Sequence, residues 1–251
     1  MNGNQREKID RYIETSLGVS IKRVQDFIRQ YSVSGDKGAV SECAKMLKDL
    51  LIEVGCKDVR LMETDGNPIL LGEFPADSPF TLLVYGMYDT QPFDKGRWRY
   101  DPLGGEIVTT EFGEEVIYGR GAINSKGPLI AFINFIEAVL KTVGELPVNL
   151  KIVADGEEEI GSPSLYKFLK DNADQLDADA CLAVTPTGGN AICLGYKGAL
   201  ALELECNAQN WGKGPVKGEV HSKFKPILDS PVWHLIKALA SLVGDDEDRI
   251  L

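Results

Sequence analysis

Histidine is nearly missing from this 251-residue chain, which has only His221 and His234, both late in the sequence. No imidazole therefore stands near, in sequence, the polar loops that precede them. Cysteine is sparse as well. The five (Cys43, Cys56, Cys181, Cys193 and Cys206) are odd in number, form no Cys-x-x-Cys pair and lie mostly inside apolar runs. That is the pattern of reduced core residues, and it sets a cytoplasmic compartment as the expectation. No window approaches the ~20 apolar residues of a membrane-spanning helix. The opening Met1-Asn-Gly-Asn-Gln-Arg-Glu-Lys8 lacks the apolar stretch of a signal peptide, so neither an anchor nor an export signal is expected. Basic runs are also lacking. A net charge of −11 is spread along the chain, with no interleaving of basic and aromatic residues, which argues against nucleic acid as a partner, and no membrane partner is expected either.

What is present suffices for a core: 43% of the residues are hydrophobic, and the length suits one large domain or one and a half ordinary ones. Ile9, Tyr12, Ile13 and Leu17, then Val24, Phe27, Ile28 and Tyr31, keep helical spacing. They predict one interrupted or two consecutive helices over 5–31. Val40, Cys43, Leu47, Leu51 and Val54 predict a second helix over about 39–54, stopped by Gly55. Segments 59–63 and 68–74 flank Asp65-Gly66-Asn67 and read as a hairpin or two adjacent strands; 106–110 and 115–118 read as a hairpin around Phe112-Gly113. Leu82 to Gly86 reads as a buried central strand. Helix 128–143, strand 148–154, helix 164–172 and strand 180–184 then alternate as βαβ units do. The expected fold is α/β, a mostly parallel sheet with helices on both faces, over residues 1–195. Residues 196–251 read as the beginning of a smaller α+β domain. Strands are expected there at 191–194 and 198–205, a loop over 209–218, and a helix over 231–243 with Ser230 as N-cap and Pro231 in its first turn.

Sites in open α/β sheets lie beyond the carboxyl ends of strands. Three strands here run into polar loops: Met87-Tyr-Asp89-Thr-Gln-Pro92, Asp155-Gly-Glu-Glu-Glu159 and Thr185-Pro-Thr-Gly-Gly. Asp89, Glu157, Glu158 and Glu159 point to a metal or general-base site, against the plainer reading of a solvated acidic loop. Cys181 and Cys193 have no nearby histidine, so nucleophilic catalysis by either is not expected.

In order, Tyr85-Gly-Met-Tyr-Asp-Thr-Gln-Pro, Trp98…Asp101-Pro-Leu, Tyr118-Gly-Arg-Gly-Ala-Ile-Asn-Ser-Lys-Gly-Pro, Gly156-Glu-Glu-Glu-Ile-Gly-Ser and Gly195-Tyr-Lys-Gly resemble the motifs of the M20 metallopeptidases. The match is closest to the carnosinase-type dipeptidases, and aminoacylases are related. Val220-His-Ser and the Ser230-Pro-Val-Trp segment resemble that family's smaller lid domain. The resemblance implies a Zn-peptidase-like catalytic domain interrupted by a lid that usually carries a dimer contact. It also implies hydrolysis of an amide bond beside a free carboxylate by two divalent metals and a bridging water. Glu158 would deprotonate that water, Glu159 would hold a metal, Asp89 would orient a ligand histidine, and His221 would help hold substrate.

The departures from the family pattern carry the functional expectation. Met87 stands where the family has its first histidine ligand, Asn124 where it has the bridging aspartate, and Thr185 where it has a further aspartate. A thioether is soft and uncharged, an amide oxygen neutral, and a hydroxyl protonated at neutral pH. Of the ligands this length could supply, Glu159 alone remains. His234 reads as a structural helix residue. The family's last ligand, a histidine, would fall beyond Leu251. The expected function is therefore that of an M20-like protein with a dismantled two-metal centre and no cofactor, binding a peptide-like or acylamino ligand or a partner. The alternative is an active amide or dipeptide hydrolase, with one weakly held zinc on Glu159, Asp89 and Asn124 or with Glu158 as a metal-free base. A homodimer or a complementing subunit is the expected assembly.

Overall fold

Asn2 starts the first helix, α1 (Gly3–Arg29), with a reciprocal pair of hydrogen bonds. Its Oδ1 accepts the Gln5 N–H and its own N–H reaches Gln5 Oε1, each at 2.9 Å. In the computed structural model, which describes residues 2–186, 191–195, 197–207, 214–215, 217–218 and 220–243, this is one continuous helix. The Asp36 carboxylate caps α2 (Lys37–Glu53) by accepting the Ala39 N–H at 3.0 Å, and Gly55, at φ +101°, provides the left-handed residue that ends it. The chain divides into two units, Met1–Ile192 and Cys193–Leu251.

In the first unit, β1 (Asp58–Met62), β2 (Ile69–Phe74) and β3 (Thr81–Met87) are followed by a separate hairpin, β4 (Glu106–Thr109) and β5 (Glu115–Tyr118). Then come α3 (Lys126–Val143), β6 (Asn149–Asp155), α4 (Leu165–Asp171) and β7 (Ala180–Ala183). The five-stranded sheet has the order β1-β2-β6-β3-β7. Pairs β6–β3 and β3–β7 are parallel, whereas β1–β2 and β2–β6 are antiparallel. The sheet is thus more mixed than the alternating pattern predicts: the turn at Asp65-Gly66-Asn67 makes β1–β2 antiparallel, and β2 also runs antiparallel to β6.

Helices cover both faces, as expected. Leu70, Val84, Leu150, Ile152 and Ala154 pack with α1, α2 and α3, while Ile69, Leu71 and Val153 face Phe168 of α4. β2 buries Ile69, Leu70 and Leu71 completely, which explains why it reads as a continuous apolar run. At about 1.5–3 kcal/mol for each fully buried large apolar side chain, these central strands fix the sheet and hence its polar edge. α3 presses on β3 so closely that a Cβ at Gly86 would lie 2.8 Å from Leu129 Cδ1. The loop before α3 is therefore delivered to the carboxyl end of β3.

β3 runs one residue further than the sequence suggests: Met87 is its last strand residue, paired with Asp155, and is 3% exposed. In the second unit, Ser230 and Pro231 open α5 (Pro231–Ala240) as predicted. The strands expected at 191–194 and 198–205 are not formed. Leu200 and Leu202 are 81% and 74% exposed. Alternation makes a strand only where a neighbour supplies ladder partners, and among the described residues no neighbouring strand pairs with this segment. Residues 187–190, 208–213 and 216, including most of the predicted 209–218 loop, lie outside the described residues. Among the described residues, no helix is long and apolar enough to cross a membrane.

Candidate functional site

The parallel register of β3 on β6 sets Met87 opposite Asp155, so the Asp89 loop and the Asp155–Glu159 loop leave the sheet together. The Val184 N–H donates to Tyr85 O at 2.8 Å, which brings the residue before Thr185 to the same edge. The loop before α3 adds Asn124. The structure thus gathers Met87, Asp89, Asn124, Glu158, Glu159 and Thr185 along one sheet edge, where the motifs led us to expect them.

Asp89 is fully buried. Its Oδ2 accepts the Ser34 hydroxyl at 2.7 Å and the Glu159 N–H at 3.1 Å, and its Oδ1 accepts the Glu158 N–H at 3.3 Å. Burial pushes its carboxyl up to about 6, against the opposing pull of these donors. Asp89 is therefore an internal acceptor that fixes the Glu158–Glu159 turn, and the reading of a solvated loop residue does not hold for it.

Glu159 is held by side chains. Its Oε1 accepts the Asn124 amide at 3.2 Å, and its Oε2 accepts the Gln91 amide at 3.0 Å, which also reaches Glu159 O at 2.9 Å. The Ser125 hydroxyl donates to Asn124 Oδ1 at 2.8 Å and so orients the amide. Glu158 is partly buried. Burial first, then repulsion from Glu159, Asp89 and Asp155, raises its carboxyl above the ordinary range.

Several residues shape the site in ways the motifs did not foretell. Asp155 is buried; burial raises its carboxyl, while Oδ1 accepts the Glu157 N–H at 3.0 Å and Oδ2 faces the Tyr85 hydroxyl at 3.4 Å. Glu157 is 4% exposed and is a structural clamp, not a solvated acid: it accepts the Asn67 and Ser164 N–H groups at 2.9 and 3.1 Å. Gly66 makes room for it, since a Cβ there would come within 1.7 Å of Glu157 Oε1. Gln91, two residues beyond Asp89, was visible in the motif but without a role. Ser34 had no sequence signal and Asn67 only that of a turn, because their partners at the site lie far along the chain.

His221 belongs to the second unit. It is exposed, accepts the Lys223 N–H at 3.2 Å, and lines a cleft of ≈ 220 Å³ with Phe224, Asp229 and Trp233. His234 contacts Asp229 at 2.6 Å. A cleft of ≈ 640 Å³ in the first unit lies between Lys37, Asp65, Glu157, Lys167 and Phe168. None of the proposed ligand positions lines it.

The model of peptidase family M20/M25/M40 matches residues 83–250. The chain belongs to this family. Among its M20 relatives, the Cys-Gly metallodipeptidase DUG1 of Candida albicans is 38% identical over 92% of this chain and 50% of its own length. The human Beta-Ala-His dipeptidase is 32% identical over 73% of this chain and 36% of its own. Among solved structures, an M20 family metallo-carboxypeptidase, Sso-CP2 from Sulfolobus solfataricus, superposes with a TM-score of 0.73 at 30% identity, covering 92% of this chain and 51% of that one. The chain spans about half or less of the length of these relatives.

Metal use by M20 relatives makes zinc the group to test against these residues. Among the described residues, no set of three or more His, Cys, Asp or Glu side chains is arranged to hold a metal ion. Both oxygens of Glu159 already accept amide N–H groups, Asp89 accepts three donors, and Met87 offers a buried thioether. The donor set does not fit a zinc pair.

Proposed function

We propose that this M20 chain keeps a peptide-binding crevice and that its own residues do not carry out two-zinc hydrolysis there. One observation carries the reading: Glu159, the single carboxylate left at a ligand position, has both oxygens engaged by Asn124 and Gln91. The ligand class is a dipeptide or acylamino compound, and the Cys-Gly and β-Ala-His dipeptides named for the relatives are the first to try.

A second reading has support of its own. The relatives are named as metallodipeptidases, and Glu158 is partly buried with a carboxyl raised by burial and neighbouring acids, which suits a general base. On this reading an amide is hydrolysed with Glu158 as base, either without metal or beside one weakly held zinc on Glu159, Asp89 and Asn124. The family relationship favours this second reading more than the first; the donor chemistry of the crevice favours the first.

Turnover and binding of a dipeptide panel, each measured in chelator and in excess Zn²⁺, separate the two. Binding without turnover supports the first reading, and turnover lost on Glu158→Gln supports the second. Converting Met87→His, Asn124→Asp and Thr185→Asp together should raise zinc affinity. The proposal includes a cytoplasmic setting and pairing with a second copy or a complementing subunit, which the mass in solution tests.

A further inference from the structure

We propose that Gln91, Glu159 and Asn124 form a metal-independent clasp that ties three crevice loops together and competes with divalent ions for the one carboxylate left at a ligand position. The inference rests on the family assignment for the meaning of the Glu159 position, and otherwise on geometry. Gln91 comes from the loop after β3, Asn124 from the loop before α3, and Glu159 from the turn after β6. They are separated by 68 and 35 residues in sequence, yet meet through bonds of 2.9–3.2 Å. Each amide donates to a different oxygen of Glu159, and Gln91 also reaches its carbonyl. Ser125 fixes the Asn124 amide by donating to its oxygen, so the Nδ2 edge is the one turned to the carboxylate.

A divalent ion that took both Glu159 oxygens would compete with the two amides, which already use one lone pair on each, and would weaken their bonds. In return it would find, besides Glu159 and the neighbouring Glu158, only the neutral Asn124 amide, since the Met87 thioether is 3% exposed. Asp89 does not make up the deficit, since its oxygens already serve Ser34 and the backbone of the turn. The clasp works only while position 124 is uncharged: an aspartate there would set two carboxylates against each other at about the present 3.2 Å separation.

Thermal unfolding of the 251-residue chain tests this, with EDTA and with Zn²⁺ as the probe ion. The expected midpoint for the wild-type chain is the same in both. Asn124→Asp should lower it in EDTA by on the order of 5 °C and regain much of that in Zn²⁺, because the ion then relieves the repulsion. Gln91→Ala should lower it by roughly 2 °C equally in both conditions. A wild-type midpoint that rises by several degrees with stoichiometric zinc overturns the clasp, and so does Asn124→Asp that unfolds with the wild type in EDTA. Dipeptide binding by the wild type in EDTA is read separately. If it is seen while the midpoint pattern fails, the clasp is wrong and the functional reading stands; if it is absent while the pattern holds, the reverse applies.

Discussion

Glu157 and Glu159 lie two residues apart in one turn and behave as if they belonged to different proteins. Glu157 faces inward, 4% exposed, and takes backbone N–H groups from Asn67 and Ser164. Glu159 faces the crevice and takes side-chain amides from Gln91 and Asn124. A carboxylate held by the backbone is part of the fold, because its partners cannot be altered without moving the chain. One held by side chains depends on two residue identities, and a substitution at either changes its chemistry. The inner set (Asp89, Asp155, Glu157) preserves the turn. The outer set (Glu158, Glu159) is where function can be gained or lost.

The largest expected effect breaks the inner set. Glu157→Ala strands two buried N–H donors and should cost about 2–4 kcal/mol in chemical denaturation. Gly66→Ala, which drives a methyl into the Glu157 carboxylate, should cost about as much. An effect under ~0.5 kcal/mol for both would remove the distinction between the two sets.

Asp89 gives the next effect, read as a pH slope. Its carboxyl titrates at about 6 in the folded chain against an ordinary 3.8, so the folded state keeps a proton that the unfolded chain has released. The stability this contributes is complete below about pH 4 and is lost as pH rises through about 6, on the order of 3 kcal/mol in all. Asp89→Asn should flatten the slope over that window; an unchanged slope would assign it to another group.

Smaller still, Ser34→Ala removes the 2.7 Å bond to Asp89 and should cost about 1 kcal/mol. Glu158→Gln, in the outer set, should change stability by less than ~0.5 kcal/mol while altering whatever chemistry the crevice performs. A large loss of stability from Glu158→Gln would move that residue into the inner set.

The sequence carried the elements well, because Gly55 stops α2 and Ser230 with Pro231 opens α5 through local chemistry. It also carried the site's address, since strand ends followed by acidic loops lie at one sheet edge in this topology. It did not carry the division of labour within Glu157-Glu158-Glu159, which depends on Asn67, Gln91 and Asn124, each far away in sequence. Nor did alternation alone produce a strand at 198–205, where Leu200 and Leu202 remain exposed. β6, by contrast, is a strand because β2 and β3 pair with it.

Zinc stoichiometry under native conditions tests the central claim most directly. The wild-type chain, equilibrated with micromolar Zn²⁺ and then freed of excess, should retain no tightly held pair of ions in native mass spectrometry. Two zinc ions per chain, lost together on Glu159→Gln, would contradict it.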